Sequence, residues 1–259
     1  MTEIFITLKP FLIAFAGGVL PALVWLWFWH KQDRECPEPT GLIILSFMAG
    51  MVVVFFVLPF QKLIVYALPF ITPLIDLLAL KFSLVAPSET AVQNVLLAAS
   101  EEIGKYATVF FIALHSKHFD EPIDAVIYLI TAALGFTATE NALYIFKDLA
   151  HSGGAEIVLN GNLRFLGASI LHTISSAFVG IALAFSFSAP RFIKSIAVTI
   201  GLLIAILLHT YFNLSIIETH GTMSVLAVFS RYWVAIIGIV ILIGMIKHIN
   251  NRTQTCPVE

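Results

Sequence analysis

A chain of 259 residues with 59% hydrophobic and 12% charged residues, and a mean hydropathy of +0.96, lies far outside the composition of soluble domains. A formal net charge of −2 without any dense basic block leaves no electrostatic footprint for nucleic acid. Only Cys36 and Cys256 are present, which excludes a disulfide framework and a CxxC metal site.

Apolar runs of about 20 residues, the length that crosses about 30 Å of hydrocarbon, dominate the chain. The first runs from about Phe11 to Trp29 and ends on Trp25, Trp27 and Trp29, where indoles favour the membrane interface. Without a basic leader or clear cleavage site, it reads as a retained anchor. Lys31 to Thr40 is polar loop, and Gly41 to about Phe60 is a second span. Leu63 to Val85 is ambiguous, because Pro69, Pro73 and Asp76 interrupt it; it could span, re-enter or lie at the interface. Five further spans follow, at about 91 to 115, 123 to 146, 164 to 187, 195 to 217 and 225 to 246. The expected fold is all-α, one polytopic transmembrane bundle of seven or eight spans over residues 1–259, with its core motifs in 91–215. The tail Cys256-Pro257-Val258-Glu259 fits a prenylation box poorly and reads as incidental.

Basic residues give the orientation. Seven spans with the N-terminus outside, or eight with it inside, both place the joint at Lys117 and the C-terminus in the cytoplasm. In either version Glu101 lies ~15 to 18 Å from the outer end of its span and His172 ~12 Å from its own. Glu140 and His209 approach the outer ends of theirs. The expected site is therefore a pocket in the outer half of the bilayer.

Within these spans the polar residues recur at helical spacing. On the third, Asn94, Ala98, Glu101, Lys105 and Thr108 draw one stripe. An unpaired charge at mid-span costs about 2.5 to 3.5 kcal/mol, so Glu101, Glu102, Lys105 and Glu140 must face one another or water. Lys105 can neutralise one glutamate as a buried ion pair, but that does not explain two adjacent glutamates. Two carboxylates so close cannot both ionise easily, which poises one for proton transfer. The fourth span adds Glu140 and Asn141 between Phe136 and Tyr144. The fifth carries His172 on a face of small residues, Ala168, Ser169, Ser175, Ser176 and Gly180. On the sixth, Gly201, Ala205, His209 and Asn213 repeat every fourth position, so His209 and Asn213 project together.

No HExxH, no G-x-S-x-G elbow and no plausible cysteine nucleophile is present. Water activation remains: a glutamate as general base, a histidine to assist, an asparagine amide for the oxyanion. A glutamate mechanism requires no cofactor. Zinc is the alternative, held by Glu101, His172 and His209.

Four motifs in order carry a resemblance. Glu101-Glu102-Ile103-Gly104-Lys105 matches EExxK, Phe136 to Glu140 with Asn141 matches FxxxEN, His172 follows Arg164 as a lone histidine, and His209 to Asn213 matches HxxxN. With the Glu38-Pro39 pair, the chain resembles the PrsW family of intramembrane proteases, relatives of the CAAX prenyl endopeptidases and bacteriocin-processing membrane proteins, over about residues 36 to 215. The resemblance implies Glu101 as base with Glu102 beside it, His172 and His209 assisting water or proton transfer, Asn213 serving the oxyanion and Glu140 completing the polar cluster. Lys105 and Asn141 would support them. Glu140 stands where the CAAX branch carries histidine, which turns the resemblance away from prenyl-protein processing. It implies cleavage of a membrane-anchored protein, such as an anti-sigma factor, in a bacterial plasma membrane.

Two other classes compete. A proton-coupled transporter could use Glu101, Glu140 and the histidines as a relay, but inverted repeats and paired broken helices are missing from the sequence. A non-catalytic scaffold needs no convergence of Glu, His and Asn.

Overall fold

The computed structural model describes residues 2–31, 37–151, 154–218 and 222–250. Arg34, Cys36, Arg252 and the Cys256 tail lie outside the described residues, as does the side chain of Arg164. Among the described residues the chain forms seven helices: α1 Thr2–His30, α2 Thr40–Lys81, α3 Glu89–Ile112, α4 Pro122–His151, α5 Gly154–Phe185, α6 Arg191–Glu218 and α7 Thr222–Asn250. A helix satisfies its own backbone, so it is the element that apolar runs of this length form in hydrocarbon.

The ambiguous stretch is resolved as the second half of α2, which passes through Pro59, Pro69 and Pro73 without ending. Proline removes a hydrogen bond and breaks helices in water. In membrane proteins neighbouring helices and local adjustments of the ladder re-satisfy the freed backbone groups, so a helix can continue through proline. At 42 residues α2 is ~63 Å long, about twice the hydrocarbon thickness. It ends where Ser83 takes a left-handed φ of 54°. There Leu84 N–H bonds to Ala79 C=O at 2.8 Å and Ser83 N–H to Leu80 C=O at 3.2 Å, the paired bonds that close a helix C-terminus. The chain returns as α3, whose N-cap Ser88 accepts the Ala91 N–H on its hydroxyl at 3.2 Å.

Among the described residues, six helices are long and apolar enough to cross a membrane. α3 is not among them, because Glu101, Glu102 and Lys105 interrupt its apolar run. The outer surface is apolar, with Phe56, Phe70, Leu80, Phe111 and Leu207 exposed. These side chains meet lipid in a multi-pass membrane protein.

Helix α4 is the centre. Every residue from Ile123 to Thr139 is buried, with α1, α2 and α5 packed around it. Backbones touch where α2 and α4 cross: a Cβ on Gly135 would sit 2.0 Å from the Phe47 carbonyl oxygen, and one on Gly50 2.1 Å from that of Ala132. A Cβ on Gly180 of α5 would come within 2.6 Å of Val126 Cα on α4. Small residues permit this approach, and dispersion contact replaces the missing hydrophobic drive between helices in lipid. These crossings lie toward the end of the bundle where α2, α4 and α6 begin. Toward the opposite end α2 to α6 part around a cavity.

Candidate active site

The cavity encloses about 610 Å³ and is lined from five helices. Gln61 comes from α2, Asn94 and Glu101 from α3, Glu140 and Lys147 from α4, His172 from α5, and His209 and Asn213 from α6. Apolar side chains including Val57, Phe136, Leu143, Leu171 and Phe212 complete the walls. On each helix the lining runs from the level of the histidines toward the end where α2 meets α3 and α4 meets α5. The most open lining residues, Leu58, Leu143, Tyr144 and Lys147, all belong to α2 and α4.

Four carboxylate and imidazole groups face one another across this space. Glu101 Oε1 accepts the Gln61 amide N–H at 2.8 Å, while its Oε2 lies 3.7 Å from His209 Nε2 and has no hydrogen-bond partner. His172 Nε2 lies 3.0 Å from Glu140 Oε2. The two imidazole rings stand nearly perpendicular with centroids 5.1 Å apart, and Phe136 packs on His172 at 5.3 Å.

Glu102 has a different place. It points away from the cavity and its Oε1 gathers three donors: Lys105 Nζ at 2.7 Å, His209 Nδ1 at 2.7 Å and Ser175 Oγ at 3.0 Å. Adjacent helical residues diverge by about 100°, so consecutive glutamates serve different neighbours. Lys105, with no exposed surface, also lies 3.0 Å from His172 Nδ1. The result is one continuous chain of polar contacts: Glu140, His172, Lys105, Glu102, His209, Glu101, Gln61. It fixes the tautomers, because a carboxylate only accepts and an ammonium only donates. His209 donates from Nδ1 to Glu102 and turns Nε2 toward Glu101. His172 accepts at Nδ1 and turns Nε2 toward Glu140.

Of the residues singled out from the sequence, Glu101, Glu140, His172, His209 and Asn213 meet at the cavity. Glu102 and Lys105 stand behind the two histidines. Asn141 is buried, does not line the cavity and leaves its Oδ1 without a partner. Sequence reasoning missed Gln61, whose signal, an amide in an apolar run, was hidden by the adjacent Lys62 and by Pro59. It also gave no role to Ser175 beyond its size.

Glu101, His172 and His209 each offer one ligand atom, and these atoms lie within 4.8 Å of one another. Three such ligands and one open position are what a catalytic zinc site uses. The unpartnered Glu101 Oε2 and the bond from His209 Nδ1 to Glu102, a carboxylate behind a histidine ligand, both suit an ion. Glu101 and His209 fit such a group as they stand, whereas His172 would have to give up the proton on Nε2, which requires Lys105 to pass one to Nδ1.

Glu101, Glu140, two histidines and the amides of Gln61 and Asn213, lining one hollow inside an apolar helical bundle, are the groups a water-activating intramembrane hydrolase uses. The model of the "PrsW family intramembrane metalloprotease" matches residues 38–245, and the chain belongs to that family. Curated relatives carrying the name Protease PrsW agree. That of Clostridioides difficile is 26% identical over 201 residues, covering 77% of each chain. That of Geobacillus kaustophilus is 24% identical over 177 residues, 68% of this chain and 66% of its own length. That of Bacillus subtilis is 23% identical over 198 residues, 75% of this chain and 78% of its own. No solved structure matches the chain significantly. The chain is thus a multi-pass membrane protease that acts on membrane-protein substrates.

Proposed function

We propose that the chain is an endopeptidase that hydrolyses a peptide bond of a membrane-anchored protein with water activated by Glu101. The observation that carries this reading is the meeting of Glu101, His172 and His209 within 4.8 Å on the wall of the cavity. Glu101 Oε2 takes a proton from water as the water oxygen attacks the scissile carbonyl carbon. The carbonyl electron pair moves onto oxygen, where the Asn213 carboxamide donates an N–H to it. When the C–N bond breaks, the proton passes through Glu101 or the histidines to the leaving amine. Glu102 and Lys105 hold His209 and His172 in opposite tautomers through these transfers. Glu140 fixes the outer nitrogen of His172. With the joint at Lys117 in the cytoplasm, as the basic residues favour, the cavity lies in the outer half of the bilayer. The openings beside Leu58 and Leu143 give an anchored substrate a route from the lipid.

A second reading is favoured by the same donor set. Glu101, His172 and His209 would hold zinc, which when bound supplies Lewis-acid polarisation and lowers the pKa of its water.

The test uses purified full-length chain in liposomes with a pool of single-span membrane peptides, products being read by mass spectrometry. Wild type is expected to cut a subset. Glu101→Gln and His209→Ala are each expected to lose at least 10²-fold, within the range of a general base. Undiminished cleavage by Glu101→Gln would overturn the reading. Elemental analysis and a chelator separate its two forms: metal-free, chelator-resistant cleavage belongs to the glutamate mechanism, and loss restored by zinc to the other.

A further inference from the structure

We infer that Gln61 is a positioning residue for the hydrolytic reaction, acting through Glu101; the inference rests on the water-activation reading above. Gln61 lies near the middle of α2, on a helix that supplies no carboxylate or imidazole to the cavity. Its side chain enters the cavity wall, and its Nε2 donates to Glu101 Oε1 at 2.8 Å.

The consequence is geometric. A glutamate side chain ends in a torsion with broad, roughly two-fold preferences, so its carboxylate rolls freely unless something holds it. A base needs its accepting oxygen within hydrogen-bond reach of the proton it takes, and small misplacement costs rate steeply. The bond to Oε1 occupies one oxygen and leaves Oε2, buried and without a hydrogen-bond partner, turned toward His209 Nε2 at 3.7 Å. Gln61 therefore decides which oxygen of Glu101 meets water and in what plane.

The amide also suits the place electrically. It donates without adding a charge to a wall that already carries Glu101, Glu140 and, behind the histidines, Lys105 and Glu102. An uncharged donor fixes the carboxylate yet leaves it free to bind and release a proton. A lysine in place of Gln61 would add a net charge at that point. α2 can present Gln61 so closely because Gly104 of α3 has no side chain: a Cβ there would lie 2.9 Å from Val57 Cγ2, one turn before Gln61.

The test takes the membrane peptide that wild type cuts and Glu101→Gln does not. Gln61→Met keeps length and bulk but removes the N–H donor, while Gln61→Asn keeps the donor on a shorter stem. Thermal unfolding in detergent confirms that each variant is folded. The expected result is a kcat reduced at least tenfold in Gln61→Met and less in Gln61→Asn, with KM within twofold of wild type. Wild-type kcat in folded Gln61→Met would overturn the inference while leaving the role of Glu101 intact. A raised KM at unchanged kcat would make Gln61 a substrate contact and would also overturn it. Absence of any peptide that depends on Glu101 would remove the water-activation reading, and this inference with it.

Discussion

Helix α4 passes through two regions that treat a buried carboxylate differently. Near its start, Glu38, Glu121 and Asp124 are buried where helices touch backbone to backbone. There the Tyr128 hydroxyl donates to Glu38, and Asp124 Oδ2 accepts the backbone N–H groups of Asp120 and Glu121 at 2.9 and 2.6 Å. Farther along, Glu140 joins Glu101 and Glu102, whose partners include His172, His209 and Lys105. The carboxylates near the start of α4 are walled in by closely packed backbone, with no open space beside them to take a water. A carboxylate held by imidazole beside open space can pass a proton on. Burial is common to both regions; the imidazole partners, and the hollow next to them, distinguish the region proposed to be reactive.

The strongest way to break the reactive region is Lys105→Met. Lys105 has no exposed surface and bonds Glu102 at 2.7 Å. Removing one partner of a buried ion pair typically costs 3–5 kcal/mol, because the remaining charge is left uncompensated. Thermal unfolding in detergent should show that loss. Cleavage should fall too, since His172 loses the ammonium that sets its tautomer. Unchanged stability would mean that Ser175 and His209 suffice for Glu102.

The close-packed region breaks next, at Gly135→Ala. A Cβ 2.0 Å from the Phe47 carbonyl oxygen cannot be accommodated by side-chain movement, so α2 and α4 must separate. A cost of about 3 kcal/mol is expected, the upper end of ordinary overpacking, again read by unfolding in detergent. Gly238, whose added Cβ would meet nothing within 4 Å, is the matched control. Equal effects at the two positions would deny that the α2–α4 crossing is special.

Much of this contrast was legible before any coordinates, for a physical reason. Charge inside an apolar run is costly enough to mark function by position, so Glu101, Glu140, His172, His209 and Asn213 stood out, and helical spacing placed His209 with Asn213. What a sequence withholds is direction. Glu101 and Glu102 read as one carboxylate pair, yet one faces the cavity and the other the space behind the histidines. The prolines of α2 left Leu63 to Val85 open, because a sequence does not show whether neighbouring groups re-satisfy the backbone they free. Asp124 gave no warning, since an acid in the first turn of a helix is ordinary.

The smallest effect sharpens the comparison most. Tyr128→Phe deletes the hydroxyl that donates to Glu38 while keeping the ring, which is fully buried. Losing a hydrogen bond to a buried acidic group should lower stability by about 1 to 3 kcal/mol. If the close-packed region serves only to hold α4, kcat and KM for a cleaved membrane peptide stay at wild-type values once the variant is folded. A tenfold fall in kcat with normal unfolding behaviour would instead tie the carboxylates near Pro122 to the reaction. Imidazole partners and an adjoining hollow would then no longer separate the two ends of α4.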